Sequence, residues 1–184
     1  MKLSMVVAGT LLAMLVLIGC GKKESTVPMS DSVNNAAGIQ WKVPAGWSMQ
    51  GERMMRVATY TIPAAEEDPE SGECAVFFFG TGQGGDIDMN IERWAAQFEG
   101  KPAVSKNATE INGLSATKVE IAGNYLSPAG PMMESKGTKQ NFLLLGAIVE
   151  APGGYVFFKS TGPKKTMETA KPAFEALLST LEKQ

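Results

Sequence analysis

The sequence of 184 residues contains no histidine. Histidine is the usual base beside a catalytic serine or cysteine, and it is the commonest metal ligand in proteins. Its absence excludes serine–histidine and cysteine–histidine catalysis, and with them most hydrolase mechanisms. An enzymatic alternative is a carboxylate-dependent hydrolase, which needs two acidic side chains facing each other in a cleft.

Long hydrophobic runs are also scarce, because one apolar run, from Val6 to Ile18, is followed by no second one. Lys2 precedes this run and Gly19–Cys20 ends it, which is typical of an export signal rather than of a membrane-spanning helix. Residues 17–20 (LIGC) resemble the bacterial lipobox, whose cysteine receives a diacylglyceryl group and acyl chains such as palmitate. The resemblance implies a signal peptide over residues 1–19. It also implies a mature protein anchored through lipid on Cys20 to a membrane of the bacterial envelope, on its periplasmic or surface side.

The sequence contains few cysteines, and its net charge is small. With Cys20 committed to lipid, Cys74 has no intramolecular partner, so no disulfide framework exists and Cys74 is predicted to be a small core residue. The formal net charge of −2 is weak and evenly spread, which argues against a nucleic-acid partner.

Residues 20–38 are rich in Ser, Asn, Gly and Lys and lack apolar periodicity, so they are predicted to form a flexible tether. The folded domain is expected to span residues 39–184. Its length is that of one domain.

Alternating apolar residues predict several strands in this domain. They are expected near Ile39, over Arg53–Ile62 and over Cys74–Phe79, the last covered on both faces. Two hairpins are predicted, at Asn112–Gly113 and at residues 152–154.

Two helices complete the pattern. The first is predicted over Asp88–Glu99 with Asp88 as its N-cap, and it carries Ile91, Trp94 and Phe98 on one stripe. The last segment, residues 163–182, has a second apolar stripe, and its Pro172 either kinks one helix or separates two. The class is therefore α+β, an antiparallel sheet with a helix packed on each face.

The order of these elements also carries a family resemblance. Residues 41–47 (WKVPAGW), the hairpins and the closing helix with FEALLSTL over residues 174–181 resemble bacterial lipoproteins of the PsbP-like fold. The resemblance covers residues 39–181. It implies an α/β/α sandwich that serves as a binding or assembly module and not as an enzyme.

Gly80, Gly82 and Gly85 fit the dinucleotide-binding pattern G-x-G-x-x-G. A hairpin follows instead of the second parallel strand, and Asp86 and Asp88 would repel a pyrophosphate, so no nucleotide is expected. Asp86-x-Asp88-x-Asn90 resembles the start of an EF-hand loop, but Ile91 and Gln97 replace its required Gly and Glu, so no metal is expected. The sequence indicates no cofactor.

The function predicted from the sequence is a membrane-tethered, non-enzymatic module that binds an envelope protein. Its candidate partner surface is polar and surrounds the glycine-rich loop: Gln83, Asp86, Asn90, Arg93 and Gln97. A carrier of a small ligand or metal is the alternative, and an enclosed pocket beside Trp41, Trp47 or Trp94 would favour it.

Overall fold

A computed structural model describes residues 27–127 and 137–184. The predicted signal peptide and the lipid site at Cys20 lie outside the described residues. The described chain forms ten strands and two helices: β1 (Met29–Ala36), β2 (Ile39–Pro44), β3 (Ser48–Met49), β4 (Ala58–Ile62), β5 (Gly72–Phe77), α1 (Ile87–Ala95), β6 (Val104–Ile111), β7 (Leu114–Leu126), β8 (Thr138–Ala151), β9 (Gly154–Pro163), α2 (Lys164–Ser179) and β10 (Glu182–Lys183).

The strands form two antiparallel sheets. The large sheet has the order β3-β4-β5-β9-β8-β7-β6, and the small sheet has the order β1-β2-β10. The prediction of the α+β class is therefore confirmed. The hairpin predicted at Asn112–Gly113 joins β6 to β7, and both residues have the positive φ angles, 49° and 77°, that a type I′ turn requires.

The core of the described chain consists of two clusters, and each contains one helix. Alternate residues of β8 belong to different clusters, because successive strand residues point to opposite faces. Leu143 and Leu145 pack in the cluster that contains α2, whereas Leu144 and Ile148 pack in the cluster that contains α1. The apolar stripes predicted for both helices are buried, as expected: Ile91, Trp94 and Phe98 from the first, and Met167, Ala170, Phe174, Leu177, Leu178 and Leu181 from the last segment.

Several predicted boundaries differ from the structure, among them the end of the first helix, which lies at Ala95 and not at Glu99. Met29–Ala36, within the predicted tether, forms β1 and pairs with β2, since backbone hydrogen bonds need no apolar alternation. The strand expected from Arg53 begins at Ala58, because the chain turns at Met54–Met55, where Met55 has a φ of 65°. One helix, α2, runs through Pro172, which therefore does not separate two helices.

Within the part of the chain that the structure describes, no helix has the length and apolar character needed to cross a membrane.

Candidate functional site

The glycine-rich stretch forms the loop between β5 and α1. Asp86, not Asp88, is the N-cap of α1, and its Oδ1 accepts a hydrogen bond from the backbone N–H of Met89 at 2.8 Å. At Gly84, with a φ of 92°, a Cβ atom would lie 2.8 Å from the Phe79 ring. The loop therefore needs glycine there for conformation and for space. The strands on either side of α1, β5 and β6, are not neighbours, so the stretch lies outside any parallel βαβ unit.

Four of the five residues predicted as a partner surface, Gln83, Asp86, Asn90 and Arg93, meet at the glycine loop, but the five do not form one exposed surface. Gln83, Asp86 and Arg93 are exposed, but Asn90 is buried and Gln97 is half-buried. Asn90 Nδ2 donates to the carbonyl oxygens of Gly84 and Asp86, both at 2.8 Å, and so holds the loop. Gln97 points toward the sheet because α1 ends at Ala95 and helical spacing no longer applies there.

A cavity of about 460 Å³ opens beside the glycine loop. Gln83 and Asp86 line it together with Glu150 and Tyr155 from the β8–β9 hairpin. Thr81 ties the two loops together, since its hydroxyl donates to the carbonyl oxygen of Gly153 at 2.7 Å. Two carboxylates and a phenol thus share one exposed concave surface.

A second opening lies on the α1 side of the large sheet. A helix of 9 residues is about 14 Å long, whereas a strand of 14 residues such as β8 extends over about 46 Å, so α1 leaves much of this face uncovered. The uncovered part is a cleft of about 450 Å³, which we call the charged cleft. Its charged and aromatic lining residues are Arg53, Arg56, Lys139, Lys159, Glu70, Glu73, Phe77, Tyr125 and Phe142.

A bulge in β8 turns Lys139 into the charged cleft. Phe142 pairs with Gly123, and Lys139 pairs with Tyr125. Between these two pairs β8 has two residues, whereas β7 has one. Asn141, with a φ of 56°, lies at the extra residue. The bulge changes which residues share a face, and Lys139 therefore lies over the ring of Phe142, 5.3 Å from its centre.

Each of three cations in the charged cleft lies over an aromatic ring. Besides Lys139, Arg56 is 5.6 Å from the centre of the Phe77 ring, and Lys159 is 5.6 Å from that of Tyr125. The negative face of an aromatic ring attracts a cation, which restrains these side chains. Tyr125 in turn stacks on Phe142, with 5.7 Å between ring centres.

The acidic side chains of the cleft already have partners. Glu73 accepts from Arg53 at 3.1 Å and from Arg56 at 2.7 Å, and Glu70 pairs with Lys139. Among the described residues, Lys159 pairs with no carboxylate; its Nζ instead donates to Gln97 Oε1 at 2.5 Å and lies 3.4 Å from the Tyr125 hydroxyl.

Burial is the main influence on ionisation in the charged cleft. It lowers the pKa of Lys159 to about 8, with the positive charge of Arg56 acting in the same direction and Glu73 opposing both. Burial also raises the pKa of Tyr125 to about 12, so the phenol stays protonated at neutral pH.

The other predicted candidates are core residues. Cys74 is fully buried, and burial raises the pKa of its thiol to about 12, so it is not a reactive thiolate. Trp41 is buried and donates to the Tyr60 hydroxyl at 3.1 Å. Trp94 is buried on β8, and Trp47 packs against the edge of the α2 cluster. Within residues 27–127 and 137–184, no three His, Cys, Asp or Glu side chains are grouped as a metal site would require.

The charged cleft was not predicted from the sequence. Its residues are single charges spread from Arg53 to Lys159, and the strand order β5-β9-β8-β7 brings them together. One signal was available: Lys159 is a lone cation in the otherwise apolar strand segment YVFFKS, residues 155–160.

Comparison with solved structures identifies the fold. The solution structure of cyanobacterial PsbP (CyanoP) from Synechocystis sp. PCC 6803 matches with a TM-score of 0.54 and 11% identity, over 91% of this chain and 99% of that chain. The fold is PsbP-like. This confirms the resemblance read from the sequence as far as the fold is concerned.

A crystal structure from Pseudomonas aeruginosa also has a related fold. It is a protein of unknown function described as a candidate regulator, and it matches with a TM-score of 0.50 and 13% identity, over 85% of this chain and 98% of that chain. No protein-family model and no curated protein matches the sequence. The similarity to PsbP-like structures therefore concerns the fold alone.

Proposed function

We propose that the protein is a non-enzymatic, PsbP-like binding module, anchored to the bacterial envelope by lipid on Cys20, with an envelope protein as its partner. The lipobox-like residues 17–20, after the apolar run that ends at Ile18, support the anchor. The exposed cavity at the glycine loop carries the binding part of the proposal. It presents hydrogen-bonding groups from two loops that are held on rigid strands.

The proposed architecture is three-layered, with α1 and α2 on opposite faces of the large sheet. The alternation of Leu143, Leu144 and Leu145 between the two core clusters supports it, because each cluster contains one helix. In this arrangement the glycine loop lies at the end of the sheet where β8 turns into β9, next to the N-terminus of α1.

The proposed partner surface is the cavity that Gln83, Asp86, Glu150 and Tyr155 line. Its two carboxylates favour a partner with basic or hydrogen-bond-donating groups. Arg93 borders this surface but bonds within the same region, to the carbonyl oxygen of Gly84 in the loop at 3.4 Å and to Asn90 Oδ1 in α1 at 3.3 Å. It is therefore not part of the proposed contact.

The test has two arms in the native envelope. The first tests the anchor with Cys20→Ser by acyl labelling and membrane fractionation, and the second tests the partner surface by crosslinking. We expect this variant to lose acyl labelling and to leave the membrane fraction, because one or no acyl chain gives only reversible attachment. Cys74→Ser is the matched control and should keep the label, since Cys74 is buried in the core. Unchanged labelling of Cys20→Ser would contradict the anchor.

The second arm tests the partner surface with Gln83→Ala combined with Glu150→Gln. Both side chains are exposed, so we expect stability to change by no more than about 0.5 kcal/mol while the crosslinked partner is lost. The control is Gln40→Ala with Glu182→Gln, a hydrogen-bonded pair of the same residue types on the small sheet. Identical crosslinked products from both double variants and the wild type would place the partner surface elsewhere.

A further inference from the structure

The charged cleft has the composition of a ligand site that is separate from the partner surface. We propose that it binds a small anionic molecule through a carboxylate or phosphate group, with Lys159 and Arg56 as the binding groups. This goes beyond the proposed protein-binding role and does not depend on the lipid anchor.

The first argument is the charge balance of the cleft. Among the described residues, four basic side chains and two acidic ones line it, and the acidic pair is already engaged by Arg53, Arg56 and Lys139. Lys159 has three N–H donors, and the described residues supply partners for two of them. An oxyanion would supply the missing acceptor and the missing negative charge in a site that is partly shielded from water.

The second argument is that the cations are held in place before any ligand arrives. Arg56 is fixed by Glu73 and by the Phe77 ring, and Lys159 is fixed by Gln97 and by the Tyr125 ring. Ordering a free lysine or arginine side chain on binding costs conformational entropy. A site whose cations are already restrained avoids most of that cost.

The third argument is the size and lining of the cleft. About 450 Å³ lies within the range of small-molecule sites, which is roughly 300–1,000 Å³. The rings of Phe77, Tyr125 and Phe142 offer apolar surface beside the cations. A compact organic anion therefore fits better than a bare ion, with its charged end at Lys159 and its carbon skeleton against the rings.

Protonation of Lys159 gives the binding a characteristic pH dependence. The groups around it are Arg56, Glu73 and Tyr125, with Arg53, Glu70 and Lys139 farther out in the same cleft. Because the pKa of Lys159 is about 8 in the free protein, a bound anion raises it and binding takes up a proton. Affinity should therefore be highest below pH 8 and should fall as the pH rises above 8.

The experiment is calorimetric titration of the full chain in detergent, at pH 7 and low salt, with inorganic phosphate and separately with succinate. The two probes distinguish phosphate from carboxylate recognition. We expect at least one probe to bind the wild type, and Lys159→Met to weaken that binding about tenfold or more, since it removes a charged hydrogen-bond donor. Lys118→Met is the matched control: it also removes a strand lysine, but that lysine pairs with Glu175 of α2 in the other layer. The affinity of Lys118→Met for the same probe should stay within about twofold of that of the wild type.

A pH series with succinate gives a second measurement that needs no variant. Carboxylates stay ionised between pH 7 and 9.5, so a fall in affinity over that range reports the loss of the proton from Lys159. Three results would each overturn the proposal: no binding of either probe up to about 10 mM, equal affinity in Lys159→Met and the wild type, or a succinate affinity that is flat across the pH range.

Discussion

At the scale of single residues, the contact between Trp94 and Gly146 decides how closely α1 approaches the large sheet. Trp94 is 6% exposed, and a Cβ atom at Gly146 would lie 2.4 Å from its Cζ3 atom. Such a separation is far inside van der Waals contact, so any side chain at position 146 must displace the indole ring. Gly146 is thus required for space and not for its backbone conformation.

Gly146→Ala is expected to destabilise the protein by about 1–3 kcal/mol, because overpacking forces the ring or the strand to shift. Trp94→Ala is expected to cost about 3–5 kcal/mol, because it leaves a cavity. Urea denaturation of the single and double variants measures both free energies of unfolding. In the Trp94→Ala background, Gly146→Ala should cost little, since the clash is gone. Additive costs in the double variant would show that the two residues do not compete for the same space.

At the scale of elements, the N-cap of α1 is Asp86, whereas the sequence pattern predicts Asp88, two residues later. Asp86 accepts the N-terminal hydrogen bond, while Asp88 lies in the first turn and pairs with Lys106 at 2.6 Å. Both carboxylates favour the positive end of the helix dipole, but only Asp86 satisfies a backbone donor there.

Asp86→Ala is expected to lower the free energy of unfolding by about 1 kcal/mol, the usual cost of losing an N-cap. Asp88→Ala is the matched control. It removes an ion pair in which both side chains are largely exposed, and such pairs contribute little. Denaturant midpoints of the two variants compare the effects directly. An Asp88→Ala variant that is destabilised as much as Asp86→Ala would contradict this assignment of the cap.

Elements whose signals are local were predictable, and features made by distant contacts were not. The Asn112–Gly113 turn follows from the two positive φ angles that these residues tolerate. Nothing local shows that the Asn112 amide also donates to the carbonyl oxygens of Ser179 and Leu181 at the C-terminal end of α2. For the same reason the sequence predicts a tether where β1 lies, because its strand structure comes from pairing with β2 and not from its own polar sequence.

The candidate site shows the same difference between local signals and contacts of distant residues. The sequence shows the glycine loop because its residues are consecutive, but it does not show that Asn90 and Gln97 point inward, to the carbonyl oxygen of Gly84 and to Lys159. The charged cleft joins residues from four strands and a bulge at Asn141, and no spacing along the chain predicts that combination.

At the scale of the whole molecule, β2 connects the two ends of the described chain. It pairs with β1 on one side and with β10 on the other, and the backbone N–H of Gln184 donates to the carbonyl oxygen of Gly38 at 3.0 Å. Trp41 on β2 packs edge-on against Phe158 of β9 and so joins the small sheet to the large one.

A chain that begins at Ile39, the predicted domain boundary, is therefore expected to be less stable than one that begins at Val27. The shorter chain loses the backbone hydrogen bonds of β1 and the packing of Ala36 and Ala37 against the core, and we expect a loss of about 1–3 kcal/mol. Thermal unfolding of both chains, each without the signal peptide, measures the difference. Equal unfolding midpoints would show that β1 adds no stability and acts only as a linker.

With the proposed lipid anchor, the early start of β1 also limits how far the domain would stand from the membrane. With lipid on Cys20 as proposed, residues 21–28 separate the anchor from Met29, and a fully extended chain of that length reaches about 30 Å. The predicted tether through residue 38 would have reached about 60 Å. A folded domain of this size is itself about 40 Å across. With the proposed anchor, the bilayer surface would therefore lie within one molecular diameter of the small sheet, and a partner would be bound at the membrane.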